Sequence, residues 1–342
     1  MRTMIVLTFA LALGCGGAST EASTRTANDA QPTTGASSAG SGAACPFTVQ
    51  DVAEAPVVAI AGMRLRLRIP AGFTRTIGSP YFIHECGAVI SFAESPPGPP
   101  PQERADFMDG MIAGILDSVA STNTACTETS VGNWACQGAD AGGNIRRIVE
   151  GNVLAIVRSH GSFAPGVGEA FVSSATTDPN APWDPVATMQ LSLAPIEGMP
   201  LHVLSSPPIL RYAAPDIAGG PSDARLLWIF LPYVMNEEHR DGSAWTDREV
   251  GREVGRRFIT DLELTDVDMD TMQPELLRTT PIGNDIDFVA NGNRDGRPVV
   301  VYGGYFREHF GVFLVIGSAP AAERARWTER FRAHVRSYRV VD

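Results

Sequence analysis

The sequence predicts an α+β protein of two tandem domains, each an antiparallel sheet covered by helices. Three observations carry that prediction. Amphipathic helical stretches follow apolar strands at two places. Groups of short strands are separated by Gly/Asn/Asp turns. This order of elements occurs twice along the chain, at about 60–195 and 200–340.

The first stretch belongs to neither half. Met1-Arg2-Thr3 is a short positive start, and Met4 to Leu13 is almost wholly apolar. A bilayer span takes about 20 residues. A signal-peptide core takes about 7–15. The run ends in Leu11-Ala12-Leu13-Gly14-Cys15. This resembles the lipobox of bacterial lipoproteins, with Ala12 where Leu is commonest. The resemblance implies a signal peptide over 1–14, cleavage after Gly14, diacylation of Cys15 and acylation of the new amino terminus. Each buried CH₂ contributes about 0.8 kcal/mol, and stable anchoring takes more than one chain. Residues 15–44 then read as a lipidated cysteine and a disordered Gly/Ala/Ser/Thr tether. A flexible linker of about 29 residues has an r.m.s. span of roughly 30 Å.

Roughly 295 residues remain, enough for about two domains, expected over 45–195 and 196–342. In the first, Met63, Leu65, Leu67 and Ile69 alternate with Arg64, Arg66 and Arg68, as in a half-buried strand. Pro70-Ala71-Gly72 ends it. Ala88-Val89-Ile90-Ser91-Phe92 is a second strand. A helix follows whose face carries Phe107, Met108, Met111, Ile112, Ile115, Leu116 and Val119. Strands are expected around 127–136, 145–149 and 153–159. A short helix begins near Gly166, with Val167, Phe171, Val172 and Ala175 inward.

In the second half Leu201-His202-Val203-Leu204 reads as the first strand and Leu226-Leu227-Trp228-Ile229-Phe230-Leu231 as a buried one. A helix starts at Thr246, with Glu249 completing a capping box, and buries Val250, Val254, Phe258 and Leu262. Strands are expected near 286–290, 299–302 and 311–316. A closing helix carries Trp327, Phe331, Val335 and Tyr338 inward. Val131-Gly132-Asn133 and Ile282-Gly283-Asn284 mark equivalent points of the two halves. The segments Leu67-Arg68-Ile69-Pro70-Ala71-Gly72-Phe73 and Trp327 to Arg339 resemble the opening strand and closing helix of PsbP/DcrB-like α/β/α domains. Members of that family mostly lack a catalytic site, so the resemblance implies a binding or envelope role.

Five cysteines are present. With Cys15 lipidated, Cys45, Cys86, Cys126 and Cys136 remain. Four cysteines in an exported chain suggest two disulfides, with three pairings open. Cys126 and Cys136 flank a short strand-turn stretch and suit a local bridge, which leaves Cys45 for Cys86. No Cys-x-x-Cys pair points to a metal, and no cofactor motif occurs. A net charge of −11 argues against nucleic acid. Every one of the 27 basic residues is arginine, which excludes Schiff-base and Ser–Lys chemistry.

Site candidates are sparse. Asn291-Gly292-Asn293-Arg294-Asp295-Gly296 opens like a calcium loop, but Tyr302 stands where a closing Glu belongs. A hairpin turn is the better reading. Asp266, Asp268 and Asp270 alternate, with Thr271 and Leu277 at the sixth and twelfth positions, and read as a solvated loop. His84, His160, His202, His239, His309 and His334 show no metal-ligand spacing. No catalytic residue is assigned. The expectation is a cell-envelope lipoprotein, facing the periplasm or the cell surface. Its partners are the membrane, through Cys15, and an envelope protein, glycan or small ligand, with the cleft between the halves as the place to look. An exported hydrolase or other enzyme with dispersed site residues is the competing reading.

Overall fold

The computed structural model describes residues 45–120, 124–138, 142–202, 208–213, 224–232, 247–281, 283–308 and 311–341. The readings on the signal peptide, Cys15 and the tether lie outside the described residues. So do those on the Thr246 cap, Val203, Leu204, His239, Ile282 and His309.

The first half runs α1 (Val49–Glu54), β1 (Val57–Ala59), β2 (Leu65–Arg68), β3 (Thr74–Arg75), β4 (Tyr81–Ile83), β5 (Val89–Glu94) and α2 (Pro101–Ala120). It continues with β6 (Ala125–Ser130), β7 (Asn133–Gln137), β8 (Gly142–Glu150), β9 (Val153–Gly161), α3 (Val167–Ser173) and β10 (Thr176–Thr177). A connecting stretch holds α4 (Pro185–Thr188) and β11 (Leu191–Ser192). The second half has β12 (Ile209–Ala213), β13 (Arg225–Pro232), α5 (Asp247–Leu262), β14 (Leu264–Thr280) and β15 (Gly283–Arg294). It closes with β16 (Arg297–Glu308), β17 (Gly311–Pro320), α6 (Arg324–Arg336) and β18 (Arg339–Val340).

Apart from the additional edge strand β3, the two large sheets share one topology. The first has the order β3-β4-β5-β9-β8-β7-β6 and the second β12-β13-β17-β16-β15-β14. All their neighbours are antiparallel. In each, a helix carries the chain to the far edge, and a four-strand meander returns to the strand that preceded the helix. The equivalence continues past the closing helices. β10 pairs with β2, and β18 pairs with β11. The chain is thus two tandem α+β domains of the same strand order.

Apolar spacing explains which faces are covered. Met108, Ile112 and Ile115 of α2 pack with Ile145 and Ile156 on one face of the first sheet. Phe171 and Val172 of α3 join Leu65, Leu67, Ile90 and Val157 on the other. In the second half Val250, Val254, Phe258 and Leu262 of α5 cover one face. Trp327, Phe331 and Val335 of α6 cover the other, against Trp228, Tyr302 and Val315. Each helix repeats its apolar residues every three or four positions, so a single stripe meets the sheet.

Leu201 bridges Tyr212 of β12 and the His202 N–H donates to the Arg211 carbonyl at 2.6 Å, while 203–204 lie outside the described residues. The 127–136 stretch is β6 and β7 joined by the Val131-Gly132 turn. Arg64 does not face water with Arg66 and Arg68. It is 3% exposed because its guanidinium pairs with Glu94, itself 0% exposed, on β5.

Both halves meet through a loop of the first. Ile77 packs against the second core. The Gly78 N–H donates to the Met189 carbonyl at 3.0 Å, and Arg75 Nη2 donates to the Thr188 carbonyl at 2.7 Å. Gly78 has φ +78°, and a Cβ there would lie 2.5 Å from Phe230 Cγ. Only glycine fits this close approach.

Candidate functional site

The buried acids of β15 and their partners converge on the face of the second sheet beneath α6. Asp285 and Asp287 sit two residues apart on β15, and strand alternation turns both toward the core. Both are fully buried. Asp285 Oδ1 accepts from the Arg307 backbone N–H at 2.8 Å, and Asp285 pairs with Arg278. Arg278 Nη2 also reaches Glu308 Oε1 at 2.6 Å. Tyr338 OH donates to the same oxygen at 2.7 Å. Tyr302 OH donates to Asp287 Oδ2 at 2.8 Å. Arg332 on α6 holds Asp287 from above, with Nε 3.3 Å from Oδ2.

Burial raises both aspartates above the usual carboxylate range, against the pull of these donors. Burial, reinforced by the Asp287 charge, holds the Tyr302 hydroxyl well above its ordinary value. Each carboxylate is therefore committed to fixed donors inside a sealed layer. Such a network fixes how α6 and the strands sit together. The first half has its own version. The Arg64 N–H donates to Glu94 Oε2 at 2.8 Å, Arg64 Nη1 reaches Asn152 Oδ1 at 3.2 Å, and buried Arg104 on α2 lies beside Ser95. The sequence reading missed these residues. Their signal was an acid at a core-facing position of an apolar strand, as in Asp285-Ile286-Asp287-Phe288-Val289.

The open surface of α6 differs from its sealed underside. Two recesses flank the helix. One, of about 440 Å³, lies between 194–197 and α6 and is lined by Glu197, Arg326, Glu329, Arg330 and His334 among others. The other, of about 600 Å³, is lined by Arg324, Ala325, Thr328, Glu329, Arg332, Ala333 and Arg336. Arg330 pairs with Glu197 at 2.8 Å, and its guanidinium stacks 5.2 Å from the Trp327 ring centre. Glu275 of β14 bridges Arg332, at 3.0 Å, and Arg336. The Thr328 hydroxyl is buried with no hydrogen-bond partner in the structure. Both recesses lie against α6, and 194–197 of the connecting stretch closes one of them. At the junction between the halves Ile77 packs on the second core and Gly78 abuts Phe230.

His334 ties this face together. Trp228 Nε1 donates to its Nε2 at 3.0 Å, and its Nδ1 contacts the Ala194 carbonyl. That pattern is a neutral imidazole protonated on Nδ1. Burial lowers its pKa to about 4. His160 on β9 is lowered to about 4 by burial and by Arg158. His84 sits among Phe47 and Phe73, and its Nδ1 accepts from the Cys86 N–H at 3.1 Å. His202 is exposed. These four do not meet.

The cysteines form two disulfides, Cys45–Cys86 and Cys126–Cys136. The second joins opposed residues of β6 and β7. The first pins the start of the described chain to the hairpin between β4 and β5. The calcium-like stretches resolve otherwise. Asn291 to Arg294 extend β15, and the turn is Asp295-Gly296, with φ of 50° and 72°. Tyr302 at the expected closing position bonds Asp287 instead. Asp266, Asp268 and Asp270 lie in β14, paired with β15, and not in a loop after α5; the Asp268 carboxylate accepts from the Asp270 N–H at 3.1 Å. Among the described residues no group of three or more His, Cys, Asp or Glu is placed to hold a metal. Nor is any described helix long and apolar enough to cross a membrane.

No protein-family model matches the chain, and no curated protein matches it. Among solved structures it is similar to the apo immunity protein TplEi of T6SS from Pseudomonas aeruginosa. That alignment has 11% identity, covers 83% of this chain and 97% of that one, and has a TM-score of 0.29. It is also similar to a chain of the Tle4-Tli4 complex, with 11% identity, the same coverages and a TM-score of 0.28. TplEi complexed with "L" peptide aligns at 12% identity over 79% of this chain and 98% of that one, with a TM-score of 0.27.

Proposed function

We propose that this chain is an exported protein held at the cell envelope by lipid on Cys15, and that its folded part binds a protein partner there without catalysing a reaction. One observation carries the binding reading. The buried acids, Glu94 in the first half and Asp285 and Asp287 in the second, are locked by arginines and Tyr302 inside the layers, while the open recesses on α6 present arginines and alanines with Glu329 among them. Groups so committed act as structural ties, and the accessible chemistry is that of recognition. Two disulfides suit an oxidising compartment. The lipobox-like ending at Cys15 and the tether behind it support the anchor. The resemblance to PsbP/DcrB-like domains points toward binding as well.

The test of the anchor is metabolic labelling with palmitate, followed by membrane fractionation, of the full chain and of Cys15→Ser. The full chain takes up label and sediments with membranes, and Cys15→Ser does neither. Equal labelling and equal membrane retention of the two would overturn it.

A further inference from the structure

The larger recess, lined by α6 alone, carries a ladder of polar side chains, with Glu329 beside it. Arg324, Thr328, Arg332 and Arg336 recur every four residues along α6, and all four line it. Four-residue spacing stacks side chains on one helix face, about 6 Å apart along the axis, so the outer arginines are about 18 Å apart. Ala325 and Ala333 form a low floor beside them.

The neighbours of the ladder leave it rich in donors. Arg324 is held by neutral acceptors, the Asn291 side chain and, at 3.4 Å, the Ala290 carbonyl. Thr328 Oγ1 is buried and has no partner in the structure. Arg332 leans on Asp287, and the single Glu275 carboxylate serves both Arg332 and Arg336. Glu275 displays the mode of recognition, one carboxylate bridging two guanidiniums. Among the described residues the structure shows no such carboxylate paired with Arg324 or Thr328, although Glu329 shares the lining.

We infer that this recess is the docking surface for an acidic segment of a protein partner, whose carboxylates lie along Arg324, Thr328 and Arg336. The inference rests on the binding reading above and names the chemistry of the partner. Charge complementarity selects the occupant. Within α6, five arginines face one glutamate, on a chain whose net charge is −11. A long polyanion or an anionic membrane feels the repulsion of the whole molecule. A short acidic segment feels mainly the arginines within a Debye length of about 8 Å.

The test uses the full chain and a fluorescein-labelled octapeptide of alternating Glu and Ser, followed by fluorescence anisotropy. The peptide binds, and its Gln counterpart does not. The double variant Arg324→Gln/Arg336→Gln, with circular dichroism confirming its fold, binds about tenfold more weakly. Hydrogen exchange in 324–336 slows with peptide in the full chain and not in the variant. Equal binding of the Gln peptide, or an unchanged affinity in the double variant, overturns the assignment. So does displacement of the peptide by equimolar inorganic phosphate or by phosphatidylglycerol vesicles, which would mark a general anion or membrane site. Failed palmitate labelling with intact peptide binding removes the anchor and leaves this surface standing. The reverse outcome removes only the surface.

Discussion

Replacing Trp327 with alanine should separate the behaviour of the two halves. Trp327 is 3% exposed and packs against Phe331, with ring centres 5.9 Å apart. Arg326 and Arg330 lie 5.3 and 5.2 Å from the ring centre. Its Nε1 has no hydrogen-bond partner in the structure, so truncation breaks no such bond there. The cost is then lost apolar burial plus a cavity, about 3–5 kcal/mol for a large aromatic. Each partly exposed cation–π contact adds about 0.5–1 kcal/mol. A domain holds only about 5–15 kcal/mol in all, so the second half should be close to unfolding. The first half keeps its own cores and both disulfides. Urea titration followed by hydrogen exchange and mass spectrometry reads the halves separately. Protection in β15–β17 should vanish at low urea while β8 and β9 stay protected. A loss below about 1 kcal/mol would show that the ring is not a core element. Simultaneous loss in both halves would show that the Ile77-Gly78 contact makes them one cooperative unit.

Two further predictions follow from buried groups. His334 has a folded pKa of about 4, against about 6.5 when unfolded. Between those values the unfolded chain takes up the proton and the folded one does not, so stability falls as pH drops through that window, by about 3 kcal/mol in total. His334→Gln should flatten that part of the acid limb in urea midpoints measured from pH 7 to 4. An unchanged limb would refute the assignment, and a residual slope is expected from His160, lowered in the same direction. For the cysteines, alkylation of denatured, unreduced exported protein should find Cys45, Cys86, Cys126 and Cys136 all blocked. Peptide mapping should return Cys45–Cys86 and Cys126–Cys136, and four alkylatable thiols would contradict both bridges.

The sequence by itself determined the parts of the fold that rest on local periodicity. The stripe of Met108, Ile112 and Ile115 and that of Trp327, Phe331 and Val335 bury as their spacing requires. The Asp295-Gly296 turn follows from residues that tolerate positive φ. The recurrence of Gly132-Asn133 and Gly283-Asn284 before corresponding strands disclosed two halves of one order. The local Cys126–Cys136 bridge was legible for the same reason, since a hairpin brings residues ten apart face to face.

Only the tertiary structure decided which charges are interior. Arg64 looks like its more accessible neighbours Arg66 and Arg68 until Glu94, 30 positions away, draws it inward. His334 meets the Ala194 carbonyl 140 positions off, and Trp228 106 positions off. The arginine ladder was written in the four-residue spacing of α6. Its meaning depended on which carboxylates fold back to meet it, and Glu275, Asp287 and Asn291 come from strands far away in sequence. Periodicity fixes the face a residue turns to. Whether a partner waits on that face is set by long-range packing, and no local pattern encodes it.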